Sequence, residues 1–147
     1  MPADLSAERL RELVMRHFGF LESRGFRRVV ADEVDTSVGS SVAFAGRHVG
    51  FLISWDARDR CLSVRATRAR DGRLAMVGPE GYSRDLLVHA IELEGYRGKG
   101  VPRAPGTVES DDAIDRELEG WAAFLRTEAS GLLADRDEAI PRGPKRN

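Results

Sequence analysis

The segment SVAFAGRHVGFLISWDARDRCLSVRAT, residues 41–67, constrains the fold more than any other stretch of the chain. Apolar side chains alternate in it with small or polar ones, and two turn-forming connections interrupt the alternation. With Gly46 and Arg47 as a two-residue turn, Phe44 opposes Val49 and Val42 opposes Phe51. With Ala57–Arg60 as a four-residue loop, Trp55 opposes Leu62, Ile53 opposes Val64 and Phe51 opposes Ala66. Both connections put Val42, Phe44, Val49, Phe51, Ile53, Trp55, Leu62, Val64 and Ala66 on one face. Side-chain direction repeats every two residues, so a one-residue slip would turn a whole strand's apolar set outward. The agreement of the two connections therefore predicts an antiparallel meander. Its other face carries Ser41, Ala43, Gly50, Leu52, Ser54, Ser63, Arg65 and Thr67, small side chains around one leucine and one arginine.

Helical spacing flanks this sheet. Leu10, Leu13, Val14, His17, Phe18 and Leu21 recur on one side of a 3.6-residue repeat behind a Ser6 cap and Glu8, which predicts a helix of about five turns. Gly25 is placed for a left-handed helix end, with Phe26 folding back. Alternation then runs from Phe26 to Val34 and stops at Gly39. Asp71-Gly72 predicts a turn into a further strand, Arg73–Val77. After the breaker Gly78-Pro79-Glu80-Gly81, Ser83 is placed to cap a short helix carrying Leu86, Leu87, Ala90 and Ile91. Ser110, Asp111 and Asp112 open a long helix striped by Ile114, Leu118, Trp121, Ala122, Leu125, Ala129, Leu132 and Leu133. From Asp135 the chain turns polar and gains prolines, so a single domain over 1–134 and a frayed tail over 135–147 are expected. Strands bracketed by helices argue an α+β fold: an N-terminal helix, a meander of four to five strands, then a short and a long helix packed on one sheet face.

The chain's 147 residues suffice for one domain that buries roughly 68–70% of its unfolded surface. Its 23 basic and 24 acidic residues leave a formal charge of −1, so no global field draws it to nucleic acid or membrane. Cys61 is the single cysteine, which excludes an intrachain disulfide framework and any multi-cysteine metal site. No apolar run approaches the roughly 20 residues of a membrane span, and MPADLSAERL lacks a signal-peptide core, so a cytoplasmic protein is expected. The cations are almost all arginine, with lysine only at 99 and 145, a bias we attribute to a GC-rich, bacterial genome.

The stretch GYRGKGVPRAPGT, residues 95–107, is the most motif-like part of the chain, and it fails as a phosphate loop. That loop requires a strand before it, a glycine five residues ahead of the Gly-Lys pair, and a hydroxyl after the lysine. Here a helix precedes, Leu93 occupies the glycine position, and Gly100 follows Lys99. A dinucleotide fingerprint fails for want of a parallel βαβ unit. What remains is a Pro/Gly connection between helices in which Arg97, Lys99 and Arg103 can meet an acidic partner. His17, His48 and His89 share no ligand spacing, so neither metal nor cofactor is expected. His17 reads as a hydrogen-bonded core residue, and His48 and His89 as solvated. Cys61 reads as a half-buried strand thiol beside Arg58 and Arg60. The acid clusters Asp32-Glu33-Asp35, Asp56 with Asp59, and Asp111-Asp112 fall at strand ends, turns or a helix start, where acids have structural reasons to be.

One asymmetry survives. Six arginines against three acids between residues 56 and 73 give a local excess of +3, whereas residues 109–119 carry −5. Nucleic-acid binding would want aromatic side chains interleaved with those arginines, and only Trp55 stands near.

FGFLESRGFRRV (18–29), the hairpins after it and the terminal LEGWAAFLRTEASGLL (118–133) resemble small uncharacterised bacterial α+β proteins, some of them immunity partners of secreted toxins. The resemblance implies a non-catalytic binding protein and carries over no functional residue. The leading expectation is therefore a protein that binds another protein, or a second copy of itself, through the small-residue sheet face and nearby charged loops. Its candidate contacts are Leu52, Ser54, Arg65, Thr67, Arg58, Arg97, Lys99 and Arg103. A second reading is an auxiliary nucleic-acid binder using Arg58–Arg73 and Arg97–Arg103. A third is an enzyme in which folding brings His48, Cys61 and Asp56 together.

Overall fold

The computed structural model describes residues 6–29, 39–76, 81–98 and 110–141. Helix α1 (Ala7–Phe18) starts at Ser6, whose hydroxyl accepts the Arg9 N–H at 3.0 Å. The expected five-turn helix is interrupted at Gly19, the weakest helix former of the stretch, and resumes as the single turn α2 (Phe20–Ser23). The apolar stripe reads through both pieces, since Leu10, Leu13, Val14, Phe18 and Leu21 are all buried.

Strands β1 (Arg27–Val29), β2 (Gly39–Ala45), β3 (Val49–Asp56), β4 (Cys61–Arg70) and β5 (Arg73–Ala75) follow in spatial order, every pair antiparallel. The expected alternation to Val34 is described only through Val29; residues 30–38 lie outside the described residues. A sixth strand, β6 (Ser83–Asp85), joins the free edge of β4 beside β5. The two short strands form one interrupted edge: the chain leaves after Ala75 and returns where the Tyr82 N–H donates to the Ala75 carbonyl at 2.9 Å. Ser83 therefore caps no helix. It sits opposite Thr67 in the ladder, its hydroxyl accepts the Arg65 Nε–H at 2.7 Å, and Asp85 caps α3 (Leu86–Leu93) through the Leu87 N–H.

The β3–β4 register is as read from sequence, with Trp55 opposite Leu62, Ile53 opposite Val64 and Phe51 opposite Ala66. The β2–β3 register differs by two residues: Phe44 opposes Phe51 and Val42 opposes Ile53, and the turn lies at Arg47-His48, closed by Gly46 N–H to Val49 O at 2.8 Å. A displacement of two leaves every side chain on its predicted face, which is why the apolar set survived the error.

Helix α4 (Asp111–Glu128) is capped by Ser110 through the Ala113 N–H and ends at Ala129, so Leu132 and Leu133 are carried by a 3-10 segment, Ser130–Ala134. α1 packs on β2, and α4 packs on α1. Trp55, Trp121, Phe18, Phe26, Phe44 and Phe51 are the largest fully buried side chains of the core they share with the sheet. Each such side chain contributes about 1.5–3 kcal/mol by leaving water. His17 is hydrogen-bonded as expected, with Nε2 2.8 Å from Asp115 Oδ1 on α4, but it is half-buried at the helix–helix contact and not a core residue.

The expected frayed tail is corrected from Asp135 to Pro141. Asp135 adopts φ 54°, a 3-10 turn follows at Asp137–Ala139, and Ile140 is buried. The Asp135 carboxylate accepts the N–H groups of Arg47 (2.6 Å), His48 (2.8 Å) and Val49 (2.9 Å). Arg68, at the end of the apolar face of β4 and itself buried, donates to Asp137 Oδ1 at 2.7 Å and to the Ile140 carbonyl at 2.5 Å. Asp135, Asp137 and the Ile140 carbonyl are thus ligands for the sheet, while Arg136 and Glu138 stay exposed.

Candidate functional site

The sheet face predicted as a contact surface is largely interior. Leu52 is 7% exposed and Thr67 fully buried. Val29, Leu74 and Met76 pack over Ala43 and Leu52 as a second apolar cluster, because the sheet curls and β5 crosses the face. Gly50 permits the closure, since a Cβ there would strike the Leu74 side chain and come within 2.5 Å of Thr67 Oγ1. Ser54 is half-buried and bonded to Ser41 at 3.1 Å; Arg65 is half-buried and spends two donors on Ser83. Leu52 and Thr67 are thus corrected from partner contacts to core.

Arg58 is exposed in the turn between β3 and β4, Arg97 is exposed beyond α3, and Lys99 and Arg103 lie outside the described residues. Of the six arginines in the basic run, Arg65 and Arg68 are engaged as above, and Arg60 lies over the Trp55 ring at 5.5 Å. Half of the predicted basic stripe therefore serves the fold. The third reading also separates: Asp56 faces Cys61 across β3–β4, while His48 sits at the other end of β3, eight residues and roughly 25 Å away.

A site the sequence did not single out lies where α3 meets the C-terminal segment. His89, Leu93, Glu94, Gly131, Arg136, Glu138, Ala139 and Pro141 line a cleft of about 460 Å³, within the size range of small-ligand pockets. His89 was expected in solvent, but it is 1% exposed. Its Nδ1 is 2.9 Å from the Tyr82 hydroxyl, and the two rings meet edge to face at 5.9 Å. With Nδ1 engaged by Tyr82, any further hydrogen bond of the ring must be made through Nε2. Burial holds the imidazole neutral, its pKa lowered to about 4, and holds the phenol protonated, its pKa raised to about 12.

Glu94 closes the end of α3. Gly95 takes φ 74°, the Tyr96 N–H returns to the Ala90 carbonyl, and the Tyr96 ring meets Phe124 edge to face at 4.9 Å. The start of the Gly/Pro stretch is thus a helix terminator and a core anchor. Burial raises the Glu94 carboxyl pKa above its ordinary range, opposed by a hydrogen bond from the Gly131 backbone. The position has a second electrostatic disadvantage, since a carboxylate there faces the negative end of the helix dipole.

Sequence missed His89 because its neighbours arrive from elsewhere: Tyr82 from before β6, and Arg136 and Glu138 from the segment taken for a tail. Among the described residues no three His, Cys, Asp or Glu side chains are placed to hold a metal ion, and no helix is long and apolar enough to cross a membrane. Comparison with protein-family models, curated proteins and solved structures finds no match to this chain.

Proposed function

We propose that the chain is a small non-catalytic protein that binds another protein, and that its recognition surface is the outer side of α3 instead of the sheet. One observation carries this reading. Among the described residues, the large apolar side chains left exposed are Val88 (36%), Ile91 (49%) and Leu93 (47%), all on the one two-turn helix. Single exposed apolar residues are ordinary; on this short helix Val88 and Ile91, three residues apart, share one outward face, with Leu93 exposed toward the neighbouring cleft. An immunity-like role, in which a toxin surface is covered and blocked, is the biological form the resemblance gives to this reading. The nucleic-acid reading loses support because three of the six arginines in its strand segment are engaged within the fold.

The test pairs wild type with Val88→Asp/Ile91→Asp, which changes only exposed positions and is expected to leave folding within about 0.5 kcal/mol per site. A protein captured stoichiometrically by wild type from its host's lysate, rebuilt from purified components, should bind the variant at least about tenfold more weakly. Sedimentation of the protein alone reports whether a second copy is that partner. Equal binding by the variant, or no stoichiometric partner for wild type, sinks the reading.

A further inference from the structure

The cleft beside α3 presents both signs of charge without pairing them. Glu94 lies at the end of α3, while Arg136 and Glu138 come from the C-terminal segment; none of the three enters an ion pair among the described residues. The same cleft is lined by the buried imidazole of His89, held by Tyr82, and by the apolar Leu93, Ala139 and Pro141. A purely cationic ligand would meet Arg136 unfavourably, and a purely anionic one would meet two carboxylates. A ligand with both charges on a short scaffold answers Glu94 and Arg136 together and leaves the exposed Glu138 to solvent.

We propose that the cleft binds a small zwitterion carrying an ammonium and a carboxylate group together with an apolar side chain, the chemical class of the free apolar α-amino acids. The ammonium lies toward Glu94, where it supplies the cation that carboxylate lacks and offsets the unfavourable end of the helix dipole. The carboxylate lies toward the guanidinium of Arg136, with His89 Nε2 as a second donor when the Tyr82 hydroxyl donates to Nδ1. Leu93, Ala139 and Pro141 receive the apolar side chain. The raised carboxyl of Glu94 and the neutral imidazole of His89 agree with this arrangement: the first gains from an arriving cation, and the second adds no positive charge to oppose it.

The cleft shares Leu93 with the α3 surface but not Val88 or Ile91, so the Val88→Asp/Ile91→Asp variant leaves its lining unchanged and the two readings fail separately. The proposal is tested by calorimetric titration of the isolated full chain with the standard L-amino acids, led by leucine, beside isopentylamine and 4-methylpentanoate, which are leucine lacking one charge each. Saturable one-to-one binding of an apolar amino acid is expected, at least about tenfold tighter than either half-ligand. Glu94→Gln should weaken leucine while leaving 4-methylpentanoate unchanged; Arg136→Met should weaken leucine while leaving isopentylamine unchanged. Both positions are exposed, and circular dichroism confirms that the variants fold. Absence of saturable amino-acid binding to the folded wild type overturns the proposal, as does a half-ligand that binds as tightly as leucine.

Discussion

The turn between β3 and β4 carries its own acceptor, whereas the turn between β2 and β3 borrows one from the far end of the chain. In the first, Asp56 Oδ1 accepts the N–H groups of Arg58 and Asp59 at 2.9 and 3.1 Å, within three residues of itself. In the second, the Asp135 carboxylate accepts three successive N–H groups, 86 to 88 residues away in the chain. Gly46 lies so close to that carboxylate that a Cβ there would fall 2.5 Å from Asp135 Oδ2. The difference explains the two registers. Where the turn's donors are satisfied locally, the sequence states the register; where they are satisfied by tertiary contact, the turn moves to wherever the distant acceptor docks.

The strongest way to break this comparison is Asp135→Ala. It leaves three N–H groups without their charged acceptor and should lower stability by about 3–4 kcal/mol. Amide exchange should quicken at residues 46–49 and in the C-terminal segment while Asp56–Cys61 stays protected. Uniform loss of protection, or a loss below about 1 kcal/mol, would show that the turn holds itself.

Acid should act on the same long-range half of the molecule. The unfolded His89 imidazole titrates near 6.5 and the folded one near 4, so between those values the unfolded chain holds the extra proton. Stability is then full above about pH 6.5 and falls as the pH drops toward 4, by roughly 2–3 kcal/mol from this group. His89→Phe should flatten that part of the urea-melt pH profile; an unchanged profile would assign the acid sensitivity elsewhere.

The smallest effect is expected from Asp56→Ala, about 1 kcal/mol, the magnitude of losing a side-chain cap on two partly solvated N–H groups. Its exchange footprint should stay within residues 56–61. If it equals Asp135→Ala in size or reach, the contrast between local and borrowed turns is wrong.

Within the candidate site the same division recurs. The apolar spacing that builds α3 was visible, and so was the Pro/Gly connection that follows it, but His89 shares no ligand spacing with His17 or His48. Its burial comes from Tyr82, which returns to the β4 edge seven residues before it, and its cleft is walled by Arg136 and Glu138 from the segment read as tail. The small-residue face misled for a related reason. Leu52 and Thr67 do alternate away from the main core, yet strand alternation says only which side a residue takes, and the curl of β5 decides whether that side is covered.

What the sequence determined alone is whatever a period or a near neighbour can fix: the α+β class, the apolar face of the meander, the β3–β4 register, the Ser6 and Ser110 caps and the two long amphipathic stripes. Each rests on hydrogen bonds or burial set within a few residues or a simple repeat. Tertiary structure decided the β2–β3 turn, the closure of the second sheet face, the docking of Asp135–Pro141 and the cleft around His89. In each of these, one residue's partner lies many positions away, and only the folded chain brings the donor, the acceptor or the covering side chain within reach.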